Sequence, residues 1–373
     1  MTGFSRIEIF GAGPAGLTLA NKLLENGFEP IVYESNSVVG KPQHCSGVVS
    51  EMFVNEAGIP RSLVRNKFYG VELWIGDLHV KAVSTVPKAY AIDRYRYELW
   101  LEERFISSGG EIQFNVEFNY KQPNRDGRLV VDATGARSYM VNNRGEALSA
   151  LQVIFQDNDG MSRYDPKLAS IIVDKTVNPD FFSWAINIGN GRWKVGSASN
   201  ANLWDVISSA VHIDKQFLMG HSVERLYGHV IVGGPVERFF IPSINTLLIG
   251  DSAGQTKVTT GGGLYYLLAA SNMLVESIKE GSPDYTSKFY KVFRDEYRLQ
   301  KLLRNLFLKV SQEDLKEVID IMSKKELFNT MLMLGDMDFH MTSLIKLALD
   351  RDFLKIAVKM SKYIEFSMLF RSI

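Results

Sequence analysis

Two glycine-rich stretches far apart in the chain carry the residue types that a large phosphorylated cofactor needs. The first, GAGPAG at 11–16, follows the short apolar strand Ile7–Phe10 and opens a helix over Leu17–Asn26. Gly11 permits a tight turn, Gly13 lets backbone approach a pyrophosphate, and Gly16 lets the helix pack on the strand. Glu34 ends a second strand, Pro30–Tyr33, where a carboxylate accepts from ribose hydroxyls. The second stretch, LLIGDSAGQTKVTTGGGL at 247–264, repeats this logic. A buried strand ends at Asp251, and three glycines open a helix near Leu264, leaving bare amides for phosphate. A lone glycine fingerprint reads equally as a tight turn. Strand, helix, strand and acid at this spacing instead define a dinucleotide-binding βαβ unit. Pro14 in the loop and the distant GD segment favour FAD over NAD, because FAD spans a long groove that a second motif must close.

The elements between these motifs position them. Gly40–Ser50 is a small-residue loop carrying Cys45; it is either a surface loop with an incidental thiol or the backbone beneath a flavin ring. Tyr69–Val86 reads as two or three strands of a second layer. Asp93 is an N-cap for a helix over Tyr95–Ser108, with Arg94 either solvated at its start or touching a phosphate or ribose. Glu111–Phe118 reads as a strand, Asn124–Gly127 as a hairpin, and LVVDATG as a buried strand ending in the small-residue turn Ala133–Gly135. Residues 150–232 read mostly as antiparallel sheet. In its clearest hairpin Phe182, Trp184, Ile186 and Ile188 fall at spacing two, on one face that is either core or a wall over the cofactor. From Asp284 onward the apolar spacing is helical. Seven of the 13 methionines follow residue 320, packing a helical core or forming an adaptable wall for a long hydrocarbon.

The expected architecture is therefore α/β. A Rossmann-like FAD-binding domain (1–50, 88–149 and 233–285) carries an inserted antiparallel substrate-binding sheet (51–87 and 150–232), followed by a helical region, 286–373. Lys+Arg and Asp+Glu number 42 each, so no net field favours nucleic acid. A single cysteine among 373 residues excludes an internal disulfide and suits a reducing cytosol. No metal-ligand pattern, signal peptide or membrane-spanning apolar run is evident, so a cytoplasmic protein is expected, with peripheral contact at the inner membrane face as its only membrane association.

With GAGPAG, Glu34, HCSG, AIDR, DATG and GDSAGQTKVTTGGG in order, the chain resembles the geranylgeranyl reductases, particularly the archaeal digeranylgeranylglycerophospholipid reductases. These flavoproteins lie within the p-hydroxybenzoate-hydroxylase-like FAD superfamily. The resemblance implies that Ala15 lies on the pyrophosphate loop and Glu34 on the adenosine ribose. Cys45, Ser46 and Val48 then run along the flavin, Arg94 stands at a helix start, and Val116 ends a strand near adenine. Asp251 faces ribityl and pyrophosphate, while Gly263 and Leu264 present backbone to the flavin. Gly254 stands where aromatic hydroxylases carry histidine, and Val258 replaces a proline common to both groups. The aromatic motif Y-x-W-x-F-P aligns with Phe182, Trp184, Ile186 and Asn187, keeping only the tryptophan.

The implied activity is saturation of isoprenoid C=C bonds by hydride from reduced FAD, with Cys45 as proton donor. Phe182, Trp184 and Ile186 would contact the substrate. With no second GxGxxG, electrons come from a ferredoxin-like protein or transiently bound nicotinamide. The same stretch F-x-W-x-I also resembles the halogenases' W-x-W-x-I-P, although no motif here places the catalytic lysine a halogenase needs. The alternatives are a flavin-dependent monooxygenase or halogenase, and a non-catalytic FAD-binding protein.

Overall fold

The computed structural model describes residues 7–119, 128–138, 147–156 and 160–364. Three sheets organise them. The first runs in the order β15 (Phe240–Ile241), β16 (Thr246–Leu248), β9 (Leu129–Asp132), β1 (Ile7–Phe10), β2 (Pro30–Glu34), β8 (Glu111–Phe114), parallel except at the β15–β16 edge. Its strands are short and apolar because both faces are covered. The helix Pro14–Glu25 joins β1 to β2 and buries Leu17, Leu19, Ala20 and Leu23. The helices Arg94–Ser107 and Leu264–Lys279 pack against that helix.

The second sheet runs β14 (Ser222–Ile231), β10 (Ala147–Gln156), β13 (Arg192–Ala198), β12 (Ser183–Asn187), β11 (Ala169–Val173), β5 (Gly70–Ile75), β6 (Leu78–Val83). It is antiparallel except where β11 lies parallel to β5. A third, small sheet pairs β3 (Val48–Ser50), β7 (Ala89–Ile92) and β4 (Val64–Phe68). The segment expected wholly in the inserted sheet is thus divided. Phe53, Val54, Ile59 and Leu63 pack into the core of the six-stranded sheet, and only residues 70–83 extend the seven-stranded one. The helix Glu51–Glu56 turns Phe53 and Val54 onto the first core, and the 3-10 turn Arg61–Leu63 does the same for Leu63.

Further local differences have plain causes. The strand expected over Glu111–Phe118 stops at Phe114 because Asn115 takes a left-handed conformation with φ of 61°. Val116 therefore lies beyond the strand rather than ending it, although its amide still donates to Glu34 O at 3.0 Å. The helix expected from Tyr95 begins at Arg94, with Asp93 accepting from the Arg96 amide as its cap. The expected hairpin at Asn124–Gly127 lies outside the described residues. Past residue 284 five α-helices follow among the described residues: Thr286–Lys309, Gln312–Lys324, Leu327–Leu334, His340–Leu347 and Arg351–Met360. The first is held by an aromatic cluster in which Phe289, Phe293 and Tyr297 meet Phe239, Tyr266 and Tyr285.

Glu72 joins the distant segments of the seven-stranded sheet. Its side chain is fully buried on β5, accepting from Ser170 Oγ at 2.6 Å and the Asp165 amide at 3.0 Å, with His79 Nε2 at 3.0 Å. Glu72→Ala is expected to lower stability by about 1–3 kcal/mol, the cost of stranding buried donors. Urea unfolding measures it.

Candidate functional site

The two glycine motifs meet at their turns. The strand β16 delivers Gly250–Ala253 as a short 3-10 turn beside the start of helix Pro14–Glu25. Gly250, at φ of 68°, leaves no room for a side chain: a Cβ there would stand 2.7 Å from Ala15 Cβ. Gly16 is equally constrained, because a Cβ would lie 1.9 Å from Gly11 O. Polar bonds fix the junction. Fully buried Asp132, at the end of β9, accepts from Ser252 Oγ at 3.1 Å, and Ser252 Oγ in turn accepts from the Gly135 amide at 2.9 Å. Gln255 accepts from the Gly250 amide and donates to Tyr285 OH, both at 2.8 Å.

One cavity of about 1510 Å³ runs from this junction across the molecule. Every expected site residue except Gly16 lines it, and Gly16 lies behind its wall. At one end are Gly11, Gly13, Ala15, Glu34 and Val116; in the middle Cys45, Ser46, Val48, Arg94, Asp251, Gly263 and Leu264. Phe182, Trp184 and Ile186 stand on the seven-stranded sheet, and beyond them the C-terminal helices supply Leu302, Leu306, Met322, Phe328, Phe353 and Met360. The methionine- and phenylalanine-rich helices thus form an apolar chamber wall as well as a core of their own around Val318, Leu327 and Ile356.

The dinucleotide end fits its expected ligand. Neither the helix Pro14–Glu25 nor the helix Leu264–Lys279 has a side-chain N-cap, so both present unclaimed amides at the cavity. A Cβ on Gly13 would meet no protein atom within 4 Å. Glu34 Oε2 accepts from the Ala12 amide at 2.8 Å, while Oε1 takes the Asn36 amide at 2.8 Å and Asn36 Nδ2 at 2.7 Å. Ser35 Oγ adds a longer bond to Oε1 at 3.3 Å, so three donors crowd Oε1 while Oε2 takes one and keeps its second lone pair for a ligand hydroxyl. Arg94 is buried and bonds Glu98 at 2.7 Å, so it is not a solvated helix-end arginine; its buried Nε has no partner in the protein. Asp251 lines the cavity, where burial pushes its carboxyl up to about 6 against the opposing pull of Arg94.

Cys45 is half-buried, its Sγ accepting from the Gly47 amide at 3.4 Å. Several partners on this wall carried no sequence signal. Lys194 Nζ donates to Cys45 O at 3.1 Å and Ser46 O at 3.2 Å, and Gln152 links Cys45 O to Trp184 Nε1. Lys257, inside the KVTTGGG motif, forms a buried ion pair with Asp338 at 2.9 Å, 81 residues later. His340 bridges Glu296 at 2.8 Å and Thr259 at 3.1 Å. Among the described residues no cluster of three His, Cys, Asp or Glu is placed to hold a metal, and no helix is long and apolar enough to cross a membrane.

This mixed α/β fold with a dinucleotide cradle is one found among solved flavoproteins. A geranylgeranyl bacteriochlorophyll reductase-like protein from Thermoplasma acidophilum matches at a TM-score of 0.73 with 18% identity, over 97% of this chain and 100% of that one. The flavin-dependent halogenase CmlS is more distant, at a TM-score of 0.61 and 15% identity over 96% and 78% of the two chains. In sequence the chain is 26% identical to digeranylgeranylglycerophospholipid reductase 1 of Methanopyrus kandleri, over 87% of this chain and 96% of that relative. No family model matches. The resemblance to the geranylgeranyl reductases therefore extends over most of the chain.

Gly13 and Gly16 separate ligand space from packing space. Gly13→Val is expected to leave the melting temperature unchanged while abolishing dinucleotide binding. Gly16→Val should lower the melting temperature sharply. Thermal denaturation and co-purifying cofactor, measured together, distinguish the two.

Proposed function

We propose that the protein is an FAD-dependent oxidoreductase that saturates C=C bonds of an isoprenoid lipid. The observation that carries this reading is the continuity of the cavity: a dinucleotide cradle opens beside Cys45 and Gly263 into a long chamber walled by apolar helices. Its volume of about 1510 Å³ exceeds the roughly 300–1,000 Å³ usual for a small-molecule site, which suits a cofactor and a hydrocarbon chain held together. The whole-length similarity to a digeranylgeranylglycerophospholipid reductase supports the substrate class.

In this reading labour divides along the chain. Residues 1–50, 88–149 and 233–285 hold FAD, the strands within 51–87 and 150–232 cover its reactive ring, and residues 286–373 house the hydrocarbon. Glu34 receives the adenosine ribose, the glycine turn at 11–16 the pyrophosphate, and Asp251 the ribityl chain. Reduced FAD, bound there, supplies hydride to the alkene. An unconjugated alkene accepts hydride poorly, so Trp184, Ile186 and the helical wall must hold it close and exclude water. Cys45 delivers the balancing proton from Sγ to the neighbouring carbon. A water-insoluble substrate implies working at the cytoplasmic membrane surface, and the reductant is a ferredoxin-like protein or a nicotinamide.

Purified protein should be yellow. After chemical reduction and anaerobic incubation with unsaturated isoprenoid lipids, mass spectrometry should find pairs of added hydrogens. Bound flavin with no lipid gaining hydrogen would sink the reading, and product formed only in air would favour a monooxygenase or halogenase. Cys45→Ala should slow single-turnover reduction by about 10²-fold, the usual scale of a lost general acid. An unchanged rate removes the thiol from the mechanism.

Asp251 sets a pH dependence. Ligand hydroxyls donate to its carboxylate, which takes up a proton as pH falls below about 6. FAD affinity is therefore expected to fall as pH drops through about 6 and to level off above it, while Asp251→Asn should flatten the profile. Titrations of apo-protein with FAD between acidic and neutral pH measure both.

A further inference from the structure

Lys194 is unusual for a lysine in the middle of a sheet. It lies on the interior strand β13, paired with Ile186 of β12 and Ile154 of β10, and is 4% exposed. Among the described residues no carboxylate lies within ion-pair distance of its Nζ. It donates instead to two backbone carbonyls, Cys45 O and Ser46 O, while Cys45, Asp93 and Glu224 favour its charge and Arg94 opposes it at longer range. Burial pulls its pKa down, the mark of a desolvated ammonium. Burying an ammonium with its countercharges only at longer range is costly, so a purely structural role would be met better by an apolar or amide side chain.

The loop it holds is the cavity wall. Cys45 and Ser46 line the cavity, and Cys45 O receives a second bond from Gln152 Nε2 at 3.4 Å. Gln152 is itself held by Trp184 Nε1 at 3.1 Å. The sheet therefore grips the loop through side chains from two adjacent strands. Arg94, the other buried cation here, approaches the same loop from the helix Arg94–Ser107, its Nε unpartnered in the protein.

We propose that Lys194 is a positioning residue that clamps the Cys45–Ser46 backbone to the sheet and sets a fixed positive charge behind the reactive end of the flavin site. The inference rests on the FAD reading and deepens it. A charge so placed favours the electron-rich reduced flavin over the oxidised form, because the reduced ring carries more negative charge. The clamp and the charge are separable: a glutamine retains donors to the carbonyls without charge, whereas a methionine retains neither.

Two readouts test it, with circular dichroism checking that the variants fold. Cys45 is the chain's single cysteine, so its alkylation rate in apo-protein reports the loop, with Lys194→Gln as the control for the lost charge beside the thiol. Lys194→Met should raise that rate at least about fivefold, and Lys194→Gln should leave it near wild type. In flavin-loaded protein both variants should lose about tenfold in preference for reduced over oxidised flavin, a midpoint potential about 30 mV lower for a two-electron couple. Unchanged alkylation in Lys194→Met overturns the clamp, and unchanged potentials overturn the charge. Wild-type protein that binds no FAD would overturn the cofactor reading and the charge with it, while alkylation of apo-protein still decides the clamp.

Discussion

The close approach of Gly250 to Ala15 is the contact on which the rest of the site depends. Two turns 235 positions apart in sequence can touch because Gly250 carries no side chain where Ala15 presents its methyl group, while Gly16 lets the helix start fold back on the Gly11 turn. Their meeting aims two uncapped helix starts into the same cavity. Such amides act as partial positive charges within a turn's length, so the two starts must converge to serve a single pyrophosphate. Asp132 and Ser252 keep them converged: a buried carboxylate satisfied by hydroxyls and amides resists the shear that apolar packing alone would permit.

The helical layer is seated on this junction by polar contacts as well as by aromatic packing. Lys257 and Asp338 are both buried, and Glu296 receives the His340 and Met341 amides together with the His340 ring. Buried ionic groups of this kind add little net stability compared with apolar replacements, but a mispaired arrangement is costly. They therefore specify where the helices sit. That placement matters because the same helices wall the apolar chamber, and a rotation of one helix would present its charged face to the cavity.

The seven-stranded sheet has a comparable division. Its apolar residues Leu151, Val153, Trp193 and Val195 pack beneath the helix Leu203–Val211, while Gln152, Trp184, Ile186 and Lys194 turn toward the cofactor loop. Alternation along β10 and β13 sends successive side chains to opposite faces, so one strand serves a core and a site at once. A polar residue at an inward position is then a statement about the loop opposite it.

The nucleotide unit was legible in the sequence because its determinants are local: glycine spacing, strand length and the acid at Glu34 are set by turn geometry and by the reach of a strand. Residues such as Ala15, Val48 and Val116 come instead from the family resemblance, and they line the same cavity; the period-two face carrying Phe182, Trp184 and Ile186 follows from strand alternation. Phe53, Val54, Ile59 and Leu63 meet the core of the six-stranded sheet while Phe68 packs with Ile186 of the seven-stranded one, because periodicity tells which face of an element is apolar, but not which core that face will meet. The partnerships of Lys194 with Cys45 O, of Lys257 with Asp338 and of Arg94 with Glu98 had different prospects. Only the last lies at helical spacing, and even it gave no sign of burial. Local chemistry and periodicity determined the cofactor fold; the tertiary structure decided which side chains lost their water and what they met, because desolvation depends on neighbours that sequence distance does not reveal.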